Sequence, residues 1–66
     1  MHDKRSALRR SMSAALAIVA LNVRDMKQYV GADVDAETGA DMANTLFDCA
    51  DKLRMVGEYF KTGKRL

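Results

Sequence analysis

Few side chains in this chain of 66 residues could carry out chemistry, and those few are scattered. Cys49 is the only cysteine and His2 the only histidine, which excludes a disulfide within the chain and argues against a zinc site with its usual set of about four ligands. Asp48 and Asp51 are predicted on the outer side of a helix, as solvated charges or partners in salt bridges between helices. Because no nucleophile is paired with a base and no phosphate-binding loop is present, we expect no enzyme, no cofactor and no metal.

The composition indicates one small helical domain spanning residues 1–66. Proline is absent, glycine occurs 4 times, and aromatic residues make up only 6% of the chain. A lone domain of this length has a marginal core, so association with another chain is the natural way to complete it. The net charge of +2 is low for a dedicated nucleic-acid-binding domain.

The N-terminal region has basic residues followed by an apolar run. Lys4, Arg5, Arg9 and Arg10 precede the run at 14–21, which is shorter than the roughly 20 residues that a membrane-spanning helix needs. We therefore expect a cytoplasmic protein with no membrane span. A signal peptide and a helix that lies on a membrane surface are the alternatives.

Helix 1 is predicted over about residues 4–30. Asp3 or Ser6 would cap its N-terminus, and Lys27 would lie near the negative end of the helix dipole. Gly31 would follow the helix with a positive φ, which costs glycine little.

Helix 2 is predicted over about residues 36–62, after a turn at 31–35. Asp33 or Asp35 would cap its N-terminus, and Gly63 would end it. A turn of this length suits two antiparallel helices. The predicted fold is thus all-α, an antiparallel helical hairpin.

Apolar residues recur in both predicted helices at alternating spacings of about three and four residues, which is typical of helices that pack side by side. Helix 2 is apolar over a width that suits more than one neighbour, so two hairpins are predicted to form a four-helix bundle as a homodimer. Gly57 costs helix 2 about 1 kcal/mol relative to alanine, which indicates a packing role. The predicted dimer core consists of Met12, Leu16, Val19, Val23, Met26, Val30, Leu46, Ala50, Leu53, Gly57 and Phe60.

Opposite charges are predicted to gather at the two ends of the hairpin. If two hairpins pack with their loops at opposite ends, each basic end lies beside an acidic loop, whereas the same-end arrangement brings like charges together. The charge pattern therefore favours an antiparallel dimer. The residues of the basic end are Lys4, Arg5, Arg9, Arg10, Lys61, Lys64 and Arg65, and those of the acidic loop are Asp33, Asp35, Glu37 and Asp41.

The stretch Asp35–Leu53 resembles helix 2 of the Rop (repressor of primer) family of plasmid RNA-binding proteins. The matching residues are Asp35, Ala36, Ala40, Asp41, Leu46, Asp48, Ala50, Asp51 and Leu53. The resemblance implies an antiparallel dimer of hairpins that binds a pair of RNA hairpins through helix 1. When the core positions are aligned, only Asn22 is chemically similar to the family's RNA-contacting residues in helix 1.

A second group of residues is predicted on the side of helix 1 that faces away from the core. An exposed apolar area with a charged rim is typical of an interface, and an aliphatic surface suits a protein better than RNA, which favours aromatic or arginine stacking. These residues, here called the outer patch, are Arg10, Ala14, Ala17, Ile18, Leu21, Asn22 and Asp25. They predict a homodimeric regulator of plasmid or phage type that inhibits or modulates a partner protein. The alternative for the patch is burial in a higher oligomer.

The alternative function is Rop-like recognition of paired RNA stem-loops. Basic side chains would contact phosphates, and the central amide would contact the RNA between them. The residues proposed for this role are Arg5, Arg9, Arg10, Asn22 and Arg24. The competing interpretation is that the basic end pairs with the acidic loop of a second subunit.

Overall fold

The computed structural model describes residues 4–63, which form two antiparallel helices. These are α1 (Lys4–Lys27) and α2 (Ala36–Gly63), and no strand occurs within the described range. The predicted all-α helical hairpin is therefore confirmed. Predictions that concern His2, Asp3, Lys64 and Arg65 lie outside the described residues.

Helix α1 ends at Lys27, one turn before the predicted end at Val30. The amide of Tyr29 donates to the Met26 carbonyl at 2.9 Å, and the amide of Val30 donates to the Lys27 carbonyl at 3.4 Å. In these hydrogen bonds the acceptor lies three residues before the donor, as in a 3₁₀ turn. The backbone here therefore winds more tightly than an α-helix, and α1 ends. Val30 therefore lies in the turn, where it is 84% exposed. Gly31 adopts a φ of +85°, as predicted.

Helix α2 begins with an N-cap at Asp35. The carboxylate Oδ1 of Asp35 accepts a hydrogen bond from the Thr38 amide at 2.8 Å, and its carbonyl accepts from the Gly39 amide at 2.8 Å. This is the capping geometry that satisfies a free amide of the first helical turn. Of the two predicted caps, Asp35 is the N-cap, and Asp33 lies in the loop.

The contact between the two helices is narrow. Met12, Ala15 and Val56 form its buried cluster, against which Tyr59 packs from one side. No described side chain is completely buried. The buried apolar residues are Met12, Ala15, Val19, Cys49 and Val56.

The contact line on α1 is rotated relative to the predicted one. Met12, Ala15 and Val19 are buried, whereas the prediction placed Leu16 in this series and omitted Ala15. The small Ala15 side chain lets α2 approach α1 closely, and α2 therefore lies to one side of Leu16. Leu16 and Val23 remain exposed in the hairpin, and their place in a dimer core stays a prediction.

The hairpin is elongated. Its Cα radius of gyration is 15.3 Å and its extents are 50 × 20 × 16 Å, whereas a compact chain of this length has a radius of gyration of about 11 Å. Much of each helix therefore faces away from the other helix.

Candidate protein-interaction surfaces

The outer patch lies on the side of α1 that is turned away from α2. Ile18 is 45% exposed and Leu21 is 59% exposed. At about 100° per residue, Ile18 is rotated by about 100° and Leu21 by about 160° from Val19, which faces α2. The remaining apolar members, Ala14 and Ala17, are also exposed. Contact with α2 therefore does not account for these aliphatic side chains.

The polar members of the outer patch differ in exposure. Arg10 and Asp25 are exposed, whereas Asn22 is half-buried at the edge of the contact with α2. The Asn22 Nδ2 donates a hydrogen bond to the Ile18 carbonyl at 3.1 Å. This bond ties the Asn22 side chain to its own helix, so Ile18 and Leu21 form the accessible centre of the patch.

The residues proposed for RNA binding do not share one side of α1. Arg9 and Arg24 are exposed and are separated by about 60° around the helix and about 22 Å along it. Asn22 is rotated by about 140 to 160° from both of them. A single RNA surface on one hairpin therefore does not bring the amide and these two guanidinium groups together.

A larger apolar surface lies on one flank of the hairpin. Leu16 and Val23 are rotated by about 40 to 60° from Val19, and Leu46 and Leu53 are rotated by a similar angle, in the same sense, from Cys49. Because α1 and α2 are antiparallel, this rotation brings both pairs to the same face. Phe60 continues this line of residues on α2. We call the five exposed residues Leu16, Val23, Leu46, Leu53 and Phe60 the heptad face.

The side of α2 that carries Leu46, Leu53 and Phe60, here called the α2 flank, contains no charged residue. From Gly39 to Phe60, the positions on this side alternate by spacings of four and three residues, and all of them are apolar or glycine. The contact between Met12 and Val56 sets the register of the two helices. This register places the α1 and α2 members of the heptad face at similar heights along the hairpin. The residues of the α2 flank are Gly39, Ala43, Leu46, Ala50, Leu53, Gly57 and Phe60.

The opposite flank of α2 carries an ion pair. The Lys52 Nζ donates to the Asp48 Oδ2 at 2.6 Å, within one turn of the same helix. This hydrogen bond raises the pKa of Lys52 above its ordinary value. Asp48 thus pairs within α2 rather than between helices. Both Asp48 and Asp51 are exposed, as the alternative prediction of solvated charges has them. The two flanks of the hairpin are therefore chemically different.

The described part of the chain provides neither a metal-binding group nor a helix that could cross a membrane. No group of three or more His, Cys, Asp or Glu side chains between residues 4 and 63 is placed to hold a metal ion. Cys49 is a free, buried thiol. Neither helix is both long and apolar enough to cross a membrane, over the same residues.

Comparison with known proteins identifies no relative of this chain. No protein family, no curated protein and no solved structure matches it. The likeness of Asp35–Leu53 to the Rop family therefore stays a prediction from those residues alone, and the structure establishes the all-α hairpin.

Proposed function

We propose that this chain is a small, non-enzymatic regulatory protein that acts in the cytoplasm as a homodimer. It binds a partner protein through the outer patch and inhibits or modulates that partner. The observation that carries the proposal is the exposure of Ile18 and Leu21 on the side of α1 that α2 does not cover. Exposed aliphatic side chains next to charged residues are typical of protein interfaces.

The chemistry of the outer patch favours a protein over RNA. Its centre consists of aliphatic side chains, with Arg10 and Asp25 of opposite charge at its rim. RNA recognition relies on aromatic or guanidinium stacking and on phosphate contacts, and the exposed arginines Arg9 and Arg24 are turned away from Asn22 around α1. A partner protein with a complementary apolar surface is the ligand that these residues fit best.

The proposal is tested by affinity capture from host lysate, with and without nuclease treatment. We expect the wild-type chain to retain a protein whose capture does not depend on nuclease. Substitution of Ile18→Asp together with Leu21→Asp should reduce capture at least tenfold, because the partner would have to bury two charges. Circular dichroism and sedimentation should show that this variant remains a helical dimer.

Phe47→Asp is the matched control. It replaces another exposed apolar side chain, on the outer side of α2, with a carboxylate. This substitution should leave capture unchanged. The proposal fails if nuclease abolishes capture, if the control loses capture equally, or if the double variant unfolds or changes its oligomeric state. The last result would show that Ile18 and Leu21 are core residues.

A further inference from the structure

Basic residues of both helices gather on the side of the hairpin that carries the heptad face. On α1, Arg9 and Lys27 are rotated by about 80° and Arg24 by about 140° from the direction that faces α2, in the same sense as the heptad face. On α2, Lys61 and Arg54 are rotated by about 120 to 140° from the direction that faces α1, toward the same side. The exposed residues Arg5, Arg9, Arg24, Lys27, Arg54 and Lys61 are here called the basic rim.

The acidic residues of the two helices lie elsewhere. Asp25 on α1 and Asp48 on α2 are rotated by about 100 to 120° from the contact between the helices, in the sense opposite to that of the basic rim. The others share that side or lie on the outer back of α2. The acidic residues of α1 and α2 are Asp25, Glu37, Asp41, Asp48, Asp51 and Glu58. A ligand that covers the heptad face therefore meets positive charge around it, and charge complementarity requires that ligand to be anionic.

The basic rim follows both long edges of an exposed apolar area. Arg24 lies on the outer edge of α1 and Arg54 on the outer edge of α2. Because neighbouring helix axes lie about 10 Å apart, these two edges are on the order of 20 Å from each other. Arg9 and Lys27 are separated by about 27 Å along α1, and Leu53, between the edges, is 48% exposed. The complementary ligand is thus a broad surface that attracts cations and accepts aliphatic side chains.

An anionic membrane surface has both properties. Aliphatic side chains enter the boundary of the acyl chains, while the long stems of lysine and arginine let their charged groups reach the lipid phosphates. A single acidic helix is about 10–12 Å across, so it cannot lie along both edges at once. RNA offers phosphates but is bound through stacking on aromatic or guanidinium groups, and Phe60 is the only aromatic residue of the heptad face.

We propose that the heptad face and the basic rim bind an anionic membrane surface, on which the hairpin lies flat with its acidic side turned toward water. This inference goes beyond the proposed function. Ile18, in the outer patch, lies on the acidic side of α1, so a partner protein reaches it while the hairpin is on the membrane. A second copy that buried the heptad face would compete with the bilayer for the same side chains.

Binding is tested by co-sedimentation with vesicles. Vesicles of equal parts phosphatidylcholine and phosphatidylglycerol should bind the chain at least tenfold more tightly than vesicles of phosphatidylcholine alone, since each lysine or arginine near an anionic surface contributes about fivefold. Raising sodium chloride from about 0.05 to about 0.5 M should weaken this binding severalfold. Equal binding to both kinds of vesicle, or no binding to the anionic ones, would overturn the proposal.

Charge variants test whether the basic rim is the part that binds. Arg24→Gln with Arg54→Gln should lower the partition coefficient on anionic vesicles at least tenfold. Lys4→Gln with Arg10→Gln is the matched control, because it removes the same net charge from exposed residues outside the basic rim. It should stay within about threefold of wild type, as only long-range attraction is reduced. Equal losses in the two variants would show attraction by net charge alone and would contradict a defined binding face.

A fluorescent label tests the orientation without removing an apolar side chain. In a Cys49→Ala background shown to be helical, Ala50→Cys places an environment-sensitive nitrobenzoxadiazole label on the side of the heptad face, and Asp51→Cys places it on the outer back of α2. Anionic vesicles should shift the emission of the first label to shorter wavelength and leave the second unchanged. Equal shifts, or a shift of the second label alone, would overturn the orientation.

The same measurements identify the other occupants of the heptad face. If the chain is a dimer by sedimentation and its label at position 50 is already shifted without vesicles and unchanged by them, a second copy covers the face and the proposal is wrong. If paired RNA stem-loops bind with the same dependence on Arg24 and Arg54 while anionic vesicles do not bind, RNA is the ligand and the proposal is again wrong.

Discussion

Asp35 determines where α2 begins. Its carboxylate accepts a hydrogen bond from the Thr38 amide at 2.8 Å. Hydrogen bonds from the side chain and the backbone of Thr38 lower the pKa of Asp35 below its ordinary value. The ionised form of Asp35 is therefore the form that caps the helix.

This lowered pKa links the cap to pH. A carboxyl whose pKa is lower in the folded chain stabilises the fold above its unfolded pKa of about 3.9 and loses that contribution as the pH falls through the lowered folded value. Asp35→Asn retains a capping oxygen but does not titrate. We expect the melting temperature of the wild type to fall more steeply than that of Asp35→Asn as the pH is lowered from about 5 to about 2.

Thermal unfolding followed by circular dichroism measures this difference. The other carboxyl groups titrate in both proteins, so the comparison isolates Asp35. Parallel dependence of the two melting temperatures on pH would contradict a capping role for the ionised carboxylate.

Two glycines next to or within the helices differ in whether their backbone conformation suits a residue with a Cβ. Gly31 follows α1 with a φ of +85°, a conformation that side chains with a Cβ rarely adopt. Gly57 lies inside α2, and a Cβ there would meet no atom within 4 Å beyond its chain neighbours and the adjacent backbone of its own helix. The packing role predicted for Gly57 is therefore not found within one hairpin.

Alanine substitutions distinguish these two requirements. Gly31→Ala should lower the free energy of unfolding by about 1 kcal/mol through backbone strain, whereas Gly57→Ala should raise it by about 1 kcal/mol through helix propensity. Urea denaturation at one protein concentration measures both values. Destabilisation by Gly57→Ala would show that a second chain lies against this position.

For the whole molecule, the elongated shape keeps the basic and the acidic side chains far apart. The hairpin is 50 Å long and has basic side chains at one end and acidic side chains near the other. In an antiparallel dimer, the basic end of each hairpin lies at the same end of the bundle as the acidic loop of the other hairpin. Salt screens the attraction between these opposite charges. In a same-end dimer, salt instead screens repulsion.

The sign of the salt effect is thus a prediction. Raising sodium chloride from about 0.02 to about 0.2 M should weaken the antiparallel dimer severalfold, as measured by sedimentation equilibrium. Glu37→Gln with Asp41→Asn removes two acidic side chains near the loop and should flatten this dependence. Tighter association at higher salt would contradict the antiparallel arrangement.

The sequence by itself determined the two helices and the chemistry of the turn between them. Helical periodicity, the absence of proline, the two candidate N-caps Asp33 and Asp35 and the positive φ of Gly31 are local properties, which depend on neighbouring residues and hence can be read from the chain. The apolar spacing predicts the end of α1 one turn too late, because it continues through Val30 after the backbone has left the helix at Lys27.

Only the tertiary structure decided which apolar side of each helix faces the other. On α1, a line through Ala15 and a line through Leu16 both contain Met12 and Val19, and each is compatible with the apolar pattern. The small Ala15 lets α2 pack closely on one line, and this leaves Leu16, Val23 and their counterparts on α2 exposed on the heptad face. That choice depends on how closely two backbones approach, which is a property of the assembled hairpin rather than of either helix.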